Sequence, residues 1–181
     1  MRPGKTRARG ARRARRGTAR RPPAFTIRRG TARDVPAILA LIRGLAEYER
    51  LAHEVEATAA RVRRHGFGRR PYFETLICRS GRTPVGFALY FFTYSTFLGR
   101  PNLYIEDLFV LPAERGKGFG KRLMAILLAE LGNVPLSRID LSAGSNTAAL
   151  HIYKSLGFVR TTPLTLRLKY SRPVVAVGLA T

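Results

Sequence analysis

Apolar and polar residues alternate over Phe25-Thr26-Ile27-Arg28, which predicts a short strand. The period then lengthens. Val35, Ile38, Leu39, Ile42, Leu45 and Ala46 recur at three- and four-residue steps and share one face of a helix. Proline is tolerated only near a helix start, so Pro36 favours Asp34 over Thr31 as the cap. A shorter helix is predicted over 58–64, ending near Gly66. Strand patterns follow at 72–79, 85–94 and 103–111, the first two separated by the turn Ser80-Gly81-Arg82. Leu123, Ile126, Leu127 and Leu131 restore helical spacing up to Gly132. A strand over 138–142, a helix over 146–156 stopped by Gly157, and a last strand over 164–170 complete the pattern. The order β-α-α-β-β-β-α-β-α-β predicts one α/β domain over 25–170, with helices packed on a mixed sheet.

Charge changes the picture at the N-terminus. The 181 residues carry 33 Lys+Arg against 11 Asp+Glu, a net +22. Ten of the basic groups and none of the acidic ones lie in residues 1–21, so the rest holds 23 basic groups against 11 acidic. Residues 1–24 are rich in Arg, Ala and Gly, lack apolar periodicity and end near Pro22-Pro23, which predicts a disordered arm. Residues 171–181 form a C-terminal tail. The arm would hold nucleic-acid phosphates without sequence preference, and that is a rival reading of the protein's role. A single cysteine, Cys78, excludes an intramolecular disulfide framework and fits a reducing, cytoplasmic compartment. No apolar run is long enough to span a bilayer as a helix, so no membrane partner is expected. His53, His65 and His151 have no metal-ligand spacing, and no metal is expected.

The richest stretch runs from Asp107 to Leu123. A strand enters a turn containing Arg115-Gly116-Lys117-Gly118-Phe119-Gly120-Lys121-Arg122, and the turn opens a helix. Unpaired amides at a helix start suit a phosphate, glycines let it approach, and Arg115, Lys117, Lys121 and Arg122 add positive charge. A P-loop needs four residues before its Gly-Lys pair and then Ser or Thr. Here three residues separate Gly116 from Gly120-Lys121, and Arg122 follows. A dinucleotide fingerprint needs Gly-x-Gly-x-x-Gly, but the loop reads Gly116-x-Gly118-x-Gly120.

The loop resembles the Arg/Gln-x-x-Gly-x-Gly/Ala turn of the GNAT N-acetyltransferases. Within that superfamily the chain is similar to the diamine (spermidine/spermine) and thialysine acetyltransferases. The similarity is carried by Leu45-Ala46-Glu47-Tyr48-Glu49, Gly66-Phe67-Gly68, the run from Val85 to Tyr94, Tyr104 to Val110, the Arg115 loop and Asn146 to Gly157. The resemblance implies the GNAT fold, a mixed and mostly antiparallel central sheet flanked by helices. It also implies acetyl transfer from acetyl-CoA to a primary amine, and a homodimer. By position, backbone groups of Leu108, Phe109 and Val110 would pair with the pantetheine arm, and the amides from Gly116 through Lys117, Gly118, Phe119 and Gly120 to Lys121 would hold its pyrophosphate beside Arg115. Asn146, Ala149 and Leu156 would line the other side. Tyr153 matches the general acid, Glu106 and Asp107 lie where the amine enters, and Tyr48 and Glu49 match substrate contacts.

The chemistry of the residues agrees with those roles. Transfer to an amine requires a neutral nucleophile, a polarised thioester and a proton for the departing thiolate, and no protein nucleophile. At about 100° per residue, Asn146 and Tyr153 fall nearly on one face of their helix. Glu106 can hold a cationic amine and take its proton. The sequence departs from the polyamine enzymes at Tyr94-Ser95-Thr96-Phe97 and over 161–166, where their acidic and tryptophan residues are missing. Fewer acids favour a short diamine or lysine-like acceptor; acetylation of a protein N-terminus or lysine is the alternative.

Overall fold

The computed structural model describes residues 25–143, 147–161 and 165–169. The arm over 1–24, Asn146 and the tail over 171–181 lie outside the described residues. The strands are β1 (Phe25–Arg29), β2 (Glu74–Ser80), β3 (Thr83–Ser95), β4 (Arg100–Val110), β5 (Arg138–Ser142), β6 (Val159–Arg160) and β7 (Thr165–Lys169). The helices are α1 (Val35–Glu49), α2 (Ala59–Phe67), α3 (Phe119–Glu130) and α4 (Thr147–Ser155). The strand order is β1-β2-β3-β4-β5-β7-β6, and only the β4–β5 pair is parallel. This is the mixed, mostly antiparallel α/β sheet expected of a GNAT fold.

Two apolar layers hold helices to the sheet. Val35, Ile38, Leu39 and Leu41 of α1 and Val62 of α2 pack on Ile77, Phe87, Leu89 and Phe109. On the opposite face Leu123, Met124, Leu127 and Leu128 of α3 cover Leu76, Ala88, Tyr90, Leu103 and Ile105. Each fully buried leucine contributes about 2 kcal/mol by removal from water. The strands therefore read as near-continuous apolar runs, because both faces are covered.

The start of α1 is held by more than a cap. Asp34 is 2% exposed, and its carboxylate accepts from the Thr31 amide and hydroxyl (both 2.9 Å), both Arg28 nitrogens (2.8 Å) and Arg79 (2.9 Å). The Arg28 guanidinium, above all, holds that carboxyl well below the usual range, against the opposing effect of burial. Asp34 thus ties β1, β2 and α1 together, while its side chain makes no bond to a helix amide.

Two local expectations change. α2 runs through Gly66 to Phe67, because that glycine is a packing position: a β-carbon there would sit 2.5 Å from the Phe73 ring. The two-residue β6 was not expected; its pairing with β7 is tertiary, and Val159-Arg160 is too short for periodicity to reveal.

Candidate active site

The site lies where β4, still paired with β3, has no further ladder pair with β5. Along β3, Tyr90 stands opposite Ile105 and Leu89 opposite Asp107, so Glu106 is an extra residue bulging from β4. The bulge reverses side-chain parity. Before it, Leu103 and Ile105 point into the α3 core. Beyond it, Leu108 and Val110 do so, while Asp107 shares the face of Leu89 beneath α1. Among the described residues, the parallel ladder runs Leu103–Ile139, Tyr104–Asp140 and Ile105–Leu141, then stops. Past Ile105 the edge of β4 on the β5 side has no ladder partner among the described residues, and this open edge beside the end of β5 is called the fork below.

Backbone polarity inside the fork follows from one bond. The Leu111 amide donates to the Val85 carbonyl (2.9 Å). Alternation along an antiparallel ladder then turns the backbone groups of Phe109 toward β3 and those of Leu108 and Val110 toward the fork. The ring of Phe109 is buried on the α1 side. Of the three residues expected to pair with an extended ligand, Leu108 and Val110 are thus the two whose backbone faces outward.

Above the fork, a 3-10 turn (Pro112–Glu114) leads to Gly116 and Gly118 at φ 77° and 81°. Those angles strain any side chain, although a β-carbon at either position would meet nothing within 4 Å. The first bond of α3 runs from the Arg122 amide to the Gly118 carbonyl (3.1 Å), so the amides of Phe119, Gly120 and Lys121 have no intrahelical acceptor. They form an anion-binding helix end. The Phe119 side chain is core, its ring centroid 5.6 Å from that of Phe25.

The cations expected to crowd this loop are dispersed. Lys117 pairs with Glu114 (2.8 Å), and Arg122 lies over the Phe25 ring at 4.2 Å. Lys121 is exposed. Arg115 stacks over the Tyr48 ring at 4.0 Å, and its Nε donates to the Val110 carbonyl (3.1 Å). That carbonyl faces the fork, so Arg115 bridges α1 and the open edge of β4. The sequence gives no sign of this stacking.

α1 reaches the site because Gly44 lets it lie close on β4; a β-carbon there would stand 3.3 Å from the Phe109 ring. One turn later come Tyr48 and Glu49. Burial, then the charge of Glu106, then that of Glu49 push the Asp107 carboxyl up to about 7. Two acids from two elements, Glu106 of β4 and Glu49 of α1, thus act on Asp107. The parity shift that sets Asp107 apart from its neighbour Glu106 depends on the bulge, which no periodicity predicts.

α4 closes the far side. At Gly120 a β-carbon would lie 3.5 Å from Ile152, so α4 packs over the start of α3. Tyr153 is 6% exposed, its ring 5.8 Å from that of Phe158, and burial pushes its phenol up to about 12. Ala149 and Leu156 are half-buried against the same core.

The model of the acetyltransferase (GNAT) family matches residues 36–158, which covers the fork, the glycine turn and α4. The chain belongs to that family. It is an acyltransferase, with GNAT-type acetyltransferase activity. It is 36% identical over 129 residues to thialysine N-epsilon-acetyltransferase of Mus musculus, covering 66% of this chain and 75% of that one. It is 38% identical over 131 residues to spermidine/spermine N(1)-acetyltransferase-like protein 1 of Homo sapiens, covering 66% of this chain and only 18% of that longer protein. Among solved structures, an aminoglycoside acetyltransferase from an uncultured soil metagenomic sample superposes with a TM-score of 0.65 at 19% identity, covering 74% of this chain and 87% of that one. That likeness speaks for the fold.

Proposed function

We propose that this acetyltransferase takes its acetyl group from acetyl-CoA and passes it to a small primary amine, a short diamine or a lysine-like compound, by direct attack in a ternary complex. The fork carries the reading: a backbone edge open to an extended pantetheine at Leu108 and at the Val110 amide, the Val110 carbonyl already accepting from Arg115, with the free amides of α3 immediately above it for the pyrophosphate. The acidic group of Glu49, Glu106 and Asp107 supplies the opposite chemistry, attraction for a protonated amine. The curated relatives named for thialysine support an acceptor of that size.

The residues fit the steps. Glu106, exposed at the bulge, and Glu49 hold the ammonium group; Asp107, with its carboxyl near 7, takes the proton directly or through water. The neutral nitrogen attacks the thioester carbon, the C–S bond breaks, and the nitrogen releases its second proton to solvent as the amide forms. The leaving sulfur receives the Tyr153 phenolic proton, which burial keeps in place at neutral pH. The phenolate then regains a proton from solvent.

Calorimetry with acetyl-CoA tests the reading. The native chain should bind in the micromolar range. Gly118→Ala should weaken binding at least tenfold, because a side chain at φ 81° costs about 1–2 kcal/mol and twists the amides away. No heat from the native chain would remove the acetyl-CoA assignment.

A further inference from the structure

A second charged surface lies on α2 and the turn after it. Residues 57–73 contain Arg61, Arg63, Arg64, Arg69 and Arg70 and no acid. All five arginines are exposed. Arg61 reaches Glu56 (3.4 Å), but Arg63, Arg64, Arg69 and Arg70 have no hydrogen-bond or ion-pair partner among the described residues.

The turn is fastened down beside the helix. The Tyr72 amide donates to the His65 carbonyl (2.7 Å), the Phe73 ring lies on Gly66, and a β-carbon at Gly68 would stand 2.3 Å from the Arg64 carbonyl. Arg69 and Arg70 are thereby held next to the last turn of α2, which bears Arg64. Tyr72 remains 75% exposed, its ring set edge-on to His65 at 5.5 Å between centroids. Four exposed guanidinium groups gathered at one helix end and its turn make a locally positive surface that an anion neutralises.

We propose that this face docks single-stranded nucleic acid: Arg63, Arg64, Arg69 and Arg70 take successive phosphates, and Tyr72 stacks on a base. Guanidinium forks match phosphate oxygens, and an exposed ring beside a cationic track is the combination that single strands require. A membrane surface fits less well, because the face offers no leucine or phenylalanine wedge to enter a bilayer. The proposed site uses none of the ten cations of residues 1–21.

The test uses the full chain and fluorescence anisotropy with labelled oligothymidylate, a duplex of equal length and anionic phosphatidylserine vesicles across a salt series. R63Q/R64Q/R69Q/R70Q should reduce the slope of log affinity on log salt by roughly three for the single strand, at about 0.7 per phosphate. A control with the same net charge, R33Q/R43Q/R82Q/R160Q, should change it by less than one. Tyr72→Ala should weaken the single strand roughly 5- to 100-fold while leaving the duplex unchanged. Equal slopes in the two arginine sets would overturn the proposal, as would equal losses on single strand and duplex for Tyr72→Ala. Loss confined to the vesicles would assign the face to lipid instead. Melting temperatures matching the native chain verify the fold, and the single Tyr72 variant decides the matter even if the quadruple variant is unstable.

Discussion

Asp107 gives the sharpest test of the chemistry. Its carboxyl is raised from an ordinary 3.8 to about 7, first by burial, then by Glu106 and Glu49. A base with that value is ionised in about one molecule in eleven at pH 6 and about ten in eleven at pH 8. If Asp107 accepts the proton, kcat at saturating substrates should rise about tenfold across that interval, read as thiol release. Asp107→Asn should lower kcat by roughly 10²-fold and flatten the limb near pH 7. Glu49→Gln removes the smallest of the three causes, so the limb should move to slightly lower pH. Stability offers an independent readout with a definite sign. Between roughly pH 4 and 7 the native state keeps a proton that the unfolded chain has released, so stability falls as pH rises through that window. Urea unfolding should show this decline in the native chain and a shallower one in Asp107→Asn. A limb near pH 7 that survives in the Asn variant, with an unchanged stability slope, would refute the assignment.

Other expectations follow from the same geometry. Tyr153→Phe should reduce kcat by 10²-fold or more while calorimetry finds acetyl-CoA affinity within about twofold, since the ring packing is kept and only the proton donor is lost. Asp34→Ala should destabilise the fold by about 3–5 kcal/mol in urea titrations, because Arg79 is left with a partly buried charge and no carboxylate. Asp34 has a depressed carboxyl, so its contribution is complete above the ordinary carboxylate range. It fades as pH falls toward the lower folded value, and the cost of the Ala substitution should shrink in acid.

Periodicity and turn chemistry were enough to foresee most elements. α1 and α3 each bury a single stripe, so their apolar spacing declares them, and the glycine turn before α3 is visible because only glycine is comfortable at positive φ. The acids, Tyr48 and Tyr153 were legible through family resemblance more than through pattern. What escaped the sequence depends on long-range partners. Gly66 looks like a helix stop until Phe73 is placed upon it, and the stacking of Arg115 on Tyr48 shows only once α1 stands beside the glycine turn. The ranking of Glu106 and Asp107 escaped for a similar reason: two adjacent acids are equivalent in sequence, and only the pairing of Asp107 with Leu89 beside an unpaired Glu106 separates them.

That pairing ties two properties to one residue. Deleting Glu106 would leave Ile105 opposite Tyr90 and Asp107 opposite Leu89 with nothing between them, so Asp107 and Leu108 would keep their faces while the bulge and its exposed carboxylate are lost. It would also remove the kink beside which the parallel ladder stops. Such a protein would lose an amine contact and its cleft in a single step. The two cannot be tuned separately at this position, and changes of acceptor preference have to come from elements such as α1, whose Glu49 acts on Asp107.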